Sequence, residues 1–160
     1  MHTLLFICTT NYYRSRFCEH LFNHLASQQH LDWTAISRGA ATELGGRNIG
    51  PISPETTRGL HHRGIATPFE VFRYPLKLTE TDLQTAADII ALDEAELRPH
   101  LELKFPAWAD QVTYWQIGDR PVATIEKALA LAEQNISTLI QKLSKATQAL
   151  PRIQTQAGRP

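Results

Sequence analysis

Cysteine is scarce in this sequence. Cys8 and Cys18 are the only two in 160 residues, too few for a disulfide framework and in keeping with a reducing compartment such as the cytoplasm. An excess of one charge is also missing. Sixteen Lys and Arg balance sixteen Asp and Glu, which removes the bulk electrostatic case for nucleic acid or a membrane surface as partner. No apolar run reaches the roughly eighteen residues of a membrane span. The first apolar stretch is too short for a secretory signal and has no charged lead-in. Internal repeats are absent. What remains is a globular composition, 42% hydrophobic and 20% charged. The length suits one domain with one sizeable core. We expect that domain over residues 1–150 and a frayed tail over 151–160, where Pro, Gly, Gln and Arg show no periodicity.

Strand and helix patterns alternate along the chain. Thr3–Ile7 reads as a buried strand, and helical spacing begins near Ser15, with Phe17, Leu21, Phe22 and Leu25 on one face. Trp33–Ser37 reads as a second strand ending at Arg38-Gly39. Residues 40–52 form a loop containing Gly45, Gly46 and Gly50. Ser53-Pro54-Glu55 is a helix start and Gly64 its stop. Another start falls at Thr79, and Ile89–Leu92 reads as a strand buried on both faces. Pro99, Pro106, Phe105 and Trp108 mark an irregular connection. Val112–Ile117 reads as the last strand, and after Pro121 comes the longest helix pattern, from Ile125 to Leu143. The expected fold class is α/β. It is a three-layer domain with a four-stranded parallel sheet flanked by helices, and ligands bind beyond the carboxyl ends of the strands.

Chemistry concentrates in Cys8-Thr9-Thr10-Asn11-Tyr12-Tyr13-Arg14-Ser15. A cysteine between a parallel strand and a helix start sits where backbone N–H groups converge, a position that favours anions and the thiolate form. Arg14 adds a planar fork able to grip two oxygens of a phosphoryl group. Asn11 tolerates the left-handed backbone that a loop turning its amides inward requires. The alternative is a structural cysteine beside a surface arginine. The flanking strand and helix favour an active phosphate-binding loop.

These residues resemble the loop of the low-molecular-weight protein tyrosine phosphatase family, Cys-x-Gly-Asn-x-Cys-Arg-Ser-Pro-x-Ala-Glu. Cys8, Asn11, Arg14, Ser15 and Glu19 match it. Ser37-Arg38-Gly39 resembles the end of the family's second strand, Asn48–Pro54 and Leu78–Leu83 two of its helix entries, and Ala87–Asp93 its third strand. The resemblance implies a two-step reaction without metal or cofactor. Cys8 attacks phosphorus, Arg14 and the loop amides bind the equatorial oxygens, Ser15 supports the sulfur and Asn11 holds the loop. Thr9, Thr10, Tyr12 and Tyr13 complete the phosphate-binding loop. The implied partners are a phosphotyrosine protein or small aryl phosphate, with inorganic phosphate or a similar oxyanion as product or competitor.

The general acid of the family lies in an Asp-Pro pair after the last strand. Asp119 is the choice here, although Arg120 separates it from Pro121. Asp93 is the runner-up, and Asp110 falls before the strand, at the wrong end of the sheet. Thr10, Tyr13 and Arg16 replace the family's glycine, second cysteine and proline. The protective disulfide that the second cysteine allows is therefore in question, and Cys18 reads as a buried apolar residue. Tyr12 and Tyr13 offer aromatic surface around the site. His20 and His24, one turn apart, read as a solvated face. His61-His62 suits a helix end. Trp108, Tyr114 and Trp115 read as core rather than pocket wall, and Arg38, Arg47 and Arg73 as surface charges that could otherwise recognise a charged substrate.

Three other chemistries compete with phosphotyrosine hydrolysis. Arsenate reduction would need an external thiol, since no cysteine follows Cys18. Phosphoarginine hydrolysis is disfavoured by Tyr12, where that relative carries a small Thr. A non-catalytic phosphate or phosphopeptide binder is disfavoured by the intact Cys8 and Arg14.

Overall fold

The computed structural model describes residues 1–68, 72–119 and 124–150. Four parallel strands lie in the order β2-β1-β3-β4: β1 (His2–Cys8), β2 (Trp33–Gly39), β3 (Asp88–Ala91) and β4 (Thr113–Tyr114). The helices are α1 (Arg14–Gln28), α2 (Pro54–His61), α3 (Glu80–Thr85), α4 (Glu94–Lys104) and α5 (Ile125–Ala149), with a short 3-10 helix at Thr42–Gly45. Among the described residues no helix is long and apolar enough to cross a membrane.

Strand β1 shows why the architecture has three layers. Side chains alternate across a strand, so a central strand feeds two cores. Leu4, Phe6 and Cys8 join a cluster with Phe17, Phe22, Leu60, Leu129 and Ile136 from α1, α2 and α5. Leu5 and Ile7 join Leu83, Leu97 and Leu101 from α3 and α4. The aromatics belong to these cores. Trp115 lies 5.8 Å from the Phe6 ring, and Tyr114 packs beneath Arg98, whose guanidinium is 4.6 Å above its ring.

Helix boundaries follow local chemistry. Ser53 caps α2 and Pro54 opens it, while Gly64 takes φ +71° shortly after its end. Thr79 and Asp82 form a reciprocal capping box at α3. Thr124 caps the 25-residue α5.

Two expectations need correction. Residues 94–104 are the helix α4 rather than an irregular connection. Asp93 caps it by accepting from the Glu96 amide at 2.9 Å. Leu97 and Leu101 bury one face, and Arg98 pairs with Glu94 one turn earlier. Pro99 therefore sits inside a helix held by a cap, two core contacts and an ion pair, against the usual cost of an interior proline. The last strand is also shorter than its apolar pattern. Only Thr113–Tyr114 pairs in parallel with β3, and Gln116 bridges Asp93 in the antiparallel sense.

The carboxyl end of β2 abuts the loop that follows β1. Cys8 is in register with Gly39. The amides of Ala40 and Ala41 donate to the carbonyls of Cys8 and Thr9 at 2.9 and 2.8 Å. A Cβ at Gly39 would stand 2.9 Å from the Thr9 carbonyl oxygen and 3.0 Å from the Asn11 nitrogen. Both are backbone atoms that cannot swing aside. Gly46, by contrast, faces open space. Gly39→Ala is expected to cost about 1–3 kcal/mol through overpacking, and Gly46→Ala to stay within about 0.5 kcal/mol. Urea unfolding of the two variants checks this, and equal stabilities would refute the close-approach argument.

Candidate active site

The loop from Cys8 to Ser15 is shaped by donors that lie outside it. Beyond the two bonds from β2's end, the Ser53 amide donates to the Tyr12 carbonyl at 3.0 Å. Thr56 Oγ1 donates to the Tyr13 carbonyl at 2.9 Å, and Arg16 Nη1 to the Asn11 carbonyl at 3.4 Å. In a trans peptide the C=O and the following N–H point oppositely. Turning these carbonyls outward therefore turns the amides of residues 9, 10, 12, 13 and 14 inward, toward the start of α1. Inward amides at a helix N-terminus make an anion cradle.

Asn11 holds the turn. It adopts φ +54°, which Asn bears better than most residues, and it is fully buried. Its Nδ2 donates to Ser15 Oγ and Ser37 Oγ, both at 2.9 Å. Its Oδ1 accepts from the Leu76 amide at 2.9 Å and Arg73 Nη1 at 3.0 Å. The backbone donor at Leu76 fixes which end of the amide is oxygen. Glu19 extends the network, pairing with Arg73 at 3.1 Å and accepting from Ser37 Oγ.

This network orients the contact at the sulfur. Ser15 Oγ lies 2.8 Å from Cys8 Sγ. Because Ser15 Oγ already accepts from Asn11, its own proton is available to donate to the sulfur. Cys18 is the opposite kind of cysteine. It is fully buried with Phe17 and Phe22. Burial pushes its thiol pKa up, Cys8 adds to the rise, and Arg14 opposes it.

Arg14 is 3% exposed, so its charge needs local partners. It has two carboxylates and a carbonyl. Glu96 takes it in a bidentate grip, Oε1 to Nη2 at 2.7 Å and Oε2 to Nη1 at 3.0 Å. The Ile117 carbonyl accepts from Nη1 at 2.9 Å, and Asp119 Oδ2 lies 3.4 Å from Nη2. Burial alone would lower the pKa of Arg14. The anions around it, led by Cys8 and followed by Glu96 and Asp119, outweigh burial and raise it above the ordinary arginine value. For Glu96 burial works upward, but the hydrogen bonds from Arg14 and Thr9 prevail and hold it below the usual carboxylate range.

The structure thus brings Cys8, Arg14, Ser15 and Asp119 to one end of the sheet, with Asp119 45% exposed. Asp93 is engaged as the α4 cap, and Asp110 pairs with Arg98 at 2.7 Å before β4. Arg120 and Pro121 lie outside the described residues. Tyr13 turns inward, its hydroxyl donating to the Ile125 carbonyl at 3.3 Å, so it adds no aromatic surface. Tyr12 ties its hydroxyl to the Ile49 carbonyl at 2.7 Å. Arg73 belongs to the Asn11 network, and Arg38 pairs with Asp82 at 3.1 Å. His20 departs from the solvated face expected of it. Its Nε2 is buried with no hydrogen-bond partner among the described residues, and burial lowers its pKa.

Two participants escaped the sequence reading. Glu96 is one. The other is Arg16, which is fully buried and donates to the Pro51 and Arg73 carbonyls at 3.1 and 2.9 Å. Burial pushes it down to about 10, with Arg73 adding and Glu19 and Cys8 opposing. Among the described residues, no three His, Cys, Asp or Glu side chains are grouped to hold a metal ion.

Comparison with known proteins bears on this site. The family model for low molecular weight phosphotyrosine protein phosphatase matches residues 3–149. A low molecular weight protein tyrosine phosphatase from T. tengcongensis is 25% identical, with a TM-score of 0.72 over 89% of this chain and 99% of that one. A low molecular weight phosphotyrosine phosphatase from Vibrio cholerae O395 has a TM-score of 0.74 at 18% identity, covering 94% of this chain and 100% of its own. Vibrio vulnificus Wzb in complex with benzylphosphonate has a TM-score of 0.67 at 20% identity, covering 91% and 98%. A search of curated proteins gave no significant match. With the family model spanning nearly the whole chain and its loop residues gathered at one end of the parallel sheet, the chain belongs to the low molecular weight phosphotyrosine protein phosphatase family.

Proposed function

We propose that this chain hydrolyses phosphotyrosine in proteins, and small aryl phosphate monoesters, through a cysteinyl-phosphate on Cys8. The observation that carries the reading is the 2.8 Å contact between Cys8 Sγ and Ser15 Oγ inside an outward-bonded loop. A thiolate supported in this way can act both as nucleophile and as leaving group.

In the first step the Cys8 sulfur gives an electron pair to phosphorus. The S–P bond forms, the P–O bond to the aryl group breaks, and the leaving oxygen takes a proton from Asp119. In the second step water attacks phosphorus and passes its proton to the Asp119 carboxylate. The S–P bond breaks, sulfur departs as thiolate, and inorganic phosphate leaves. Arg14 and the loop amides bind the equatorial oxygens, whose charge spreads in the transition state. Thr9, Thr10, Asn11, Tyr12, Tyr13 and Ser15 form and hold the cradle. The positive charge in this scheme comes from the protein alone, so it calls for no metal. A reducing compartment, the cytoplasm, suits a reaction that depends on a free thiol.

Cys8→Ser is expected to reduce p-nitrophenyl phosphate hydrolysis to near background while inorganic phosphate still binds, as read by steady-state kinetics and calorimetry. Strong residual turnover would remove Cys8 from the mechanism. Asp119→Ala is expected to slow a phosphotyrosine peptide on the order of a hundredfold and to slow an activated aryl phosphate far less. Equal small effects on both would move the acid role elsewhere. In a side-by-side assay, phosphotyrosine peptide should turn over faster than phosphoarginine or arsenate with added thiol. A lead for arsenate would recast the chain as a reductase.

A further inference from the structure

Arg14 offers five N–H donors in a fixed planar fork, and their assignment distinguishes one edge from another. Both protons of Nη1 are used, one by Glu96 Oε2 at 3.0 Å and one by the Ile117 carbonyl at 2.9 Å. One proton of Nη2 goes to Glu96 Oε1 at 2.7 Å. The remaining two donors, on Nε and Nη2, lie along a single edge. Asp119 Oδ2 approaches that edge at 3.4 Å. Glu96 also accepts from Thr9 Oγ1, so one carboxylate spans the first and last turns of the loop.

We propose that Glu96 is the positioning residue of Arg14. Its carboxylate holds the Nη1–Nη2 edge of the guanidinium and so presents the Nε–Nη2 edge to the phosphoryl group. The inference rests on the phosphoryl-transfer reading of the loop and adds to it the part that aims its cation. Glu96 is itself fixed. It stands in the first turn of α4, its amide donates to the Asp93 cap, and its side chain is 28% exposed. A rigid helix thereby sets the rotation of a guanidinium on α1. Without Glu96, Arg14 keeps the Ile117 carbonyl and Asp119, a hinge rather than a clamp, and its plane is free to turn. Correct aim matters most for a trigonal bipyramidal group, whose equatorial oxygens must meet the fork in one plane. A tetrahedral anion is less demanding.

Orthovanadate and inorganic phosphate therefore separate aim from simple attraction. In the full chain with Cys8 intact, Glu96→Ala is expected to weaken orthovanadate binding on the order of tenfold and phosphate binding less than about threefold. Glu96→Gln, which keeps one acceptor, should fall between the parent and the alanine variant. Calorimetry gives both affinities, and a thermal melt shows that each variant is folded. If the alanine variant does not fold, the near-isosteric glutamine variant carries the test, with the same preferential loss for orthovanadate expected. The proposal is overturned if both anions bind more tightly, since Glu96 would then be competing for the fork. Equal weakening of both, or changes within about twofold, also overturn it. Because binding is read without turnover, a parent that binds both anions but hydrolyses no aryl phosphate fails the phosphatase reading and leaves the Glu96 test intact.

Discussion

The side-chain amide of Asn11 is the tie on which the site depends. Its four hydrogen bonds reach α1 through Ser15, β2 through Ser37, and the 73–76 segment through Arg73 and the Leu76 amide. A buried amide so fully satisfied is rigid, because any rotation leaves a donor or acceptor without a partner in a low-dielectric interior. The left-handed backbone of Asn11 follows from this grip, and the direction of the Ser15 hydroxyl follows from it in turn. Cys8 thus receives its oriented donor from a residue that does not touch it.

Charge in the site is arranged in two groups. In one, Arg14 is met by Glu96 and Asp119. In the other, Arg73 is met by Glu19 and Arg16 by backbone carbonyls. Buried guanidinium groups are tolerated only where such partners exist. Arg16 fills the position of the family's proline with three carbonyl contacts and joins the 51 and 73 segments to the loop. Proline would set the local backbone angle but could supply no such donors.

Most of the fold was legible from residue pattern because its signals are local. The alternation in β1, the Ser53-Pro54 start, the Thr79 capping box and the long apolar stripe of α5 each declare themselves within a few residues. The loop was legible through its residue types and spacing. Helix α4 was not, because Pro99 and the aromatics near residue 105 suggest a break. Its stability comes from Leu97 and Leu101 joining a core with Leu5 and Ile7 of β1, far away in sequence. Missing that helix also hid Glu96, whose role depends on standing three residues beyond an Asp93 cap and 82 positions from Arg14. A capping aspartate followed three residues later by glutamate was the available signal. The inward turn of Tyr13 and the burial of the His20 Nε2 are set by packing between elements, which no local pattern reports.

The outward bonding of the loop has a thermodynamic consequence. Ordering backbone costs roughly 1–2 kcal/mol per residue, and a binding site that orders itself only on contact spends much of its interaction energy on that step. Here the carbonyls of Cys8, Thr9, Asn11, Tyr12 and Tyr13 are engaged by donors from neighbouring elements of the chain itself. The entropy of shaping the cradle is settled when the chain folds. A ligand as small as one phosphoryl group can then arrive, react and leave repeatedly without the loop being rebuilt each time.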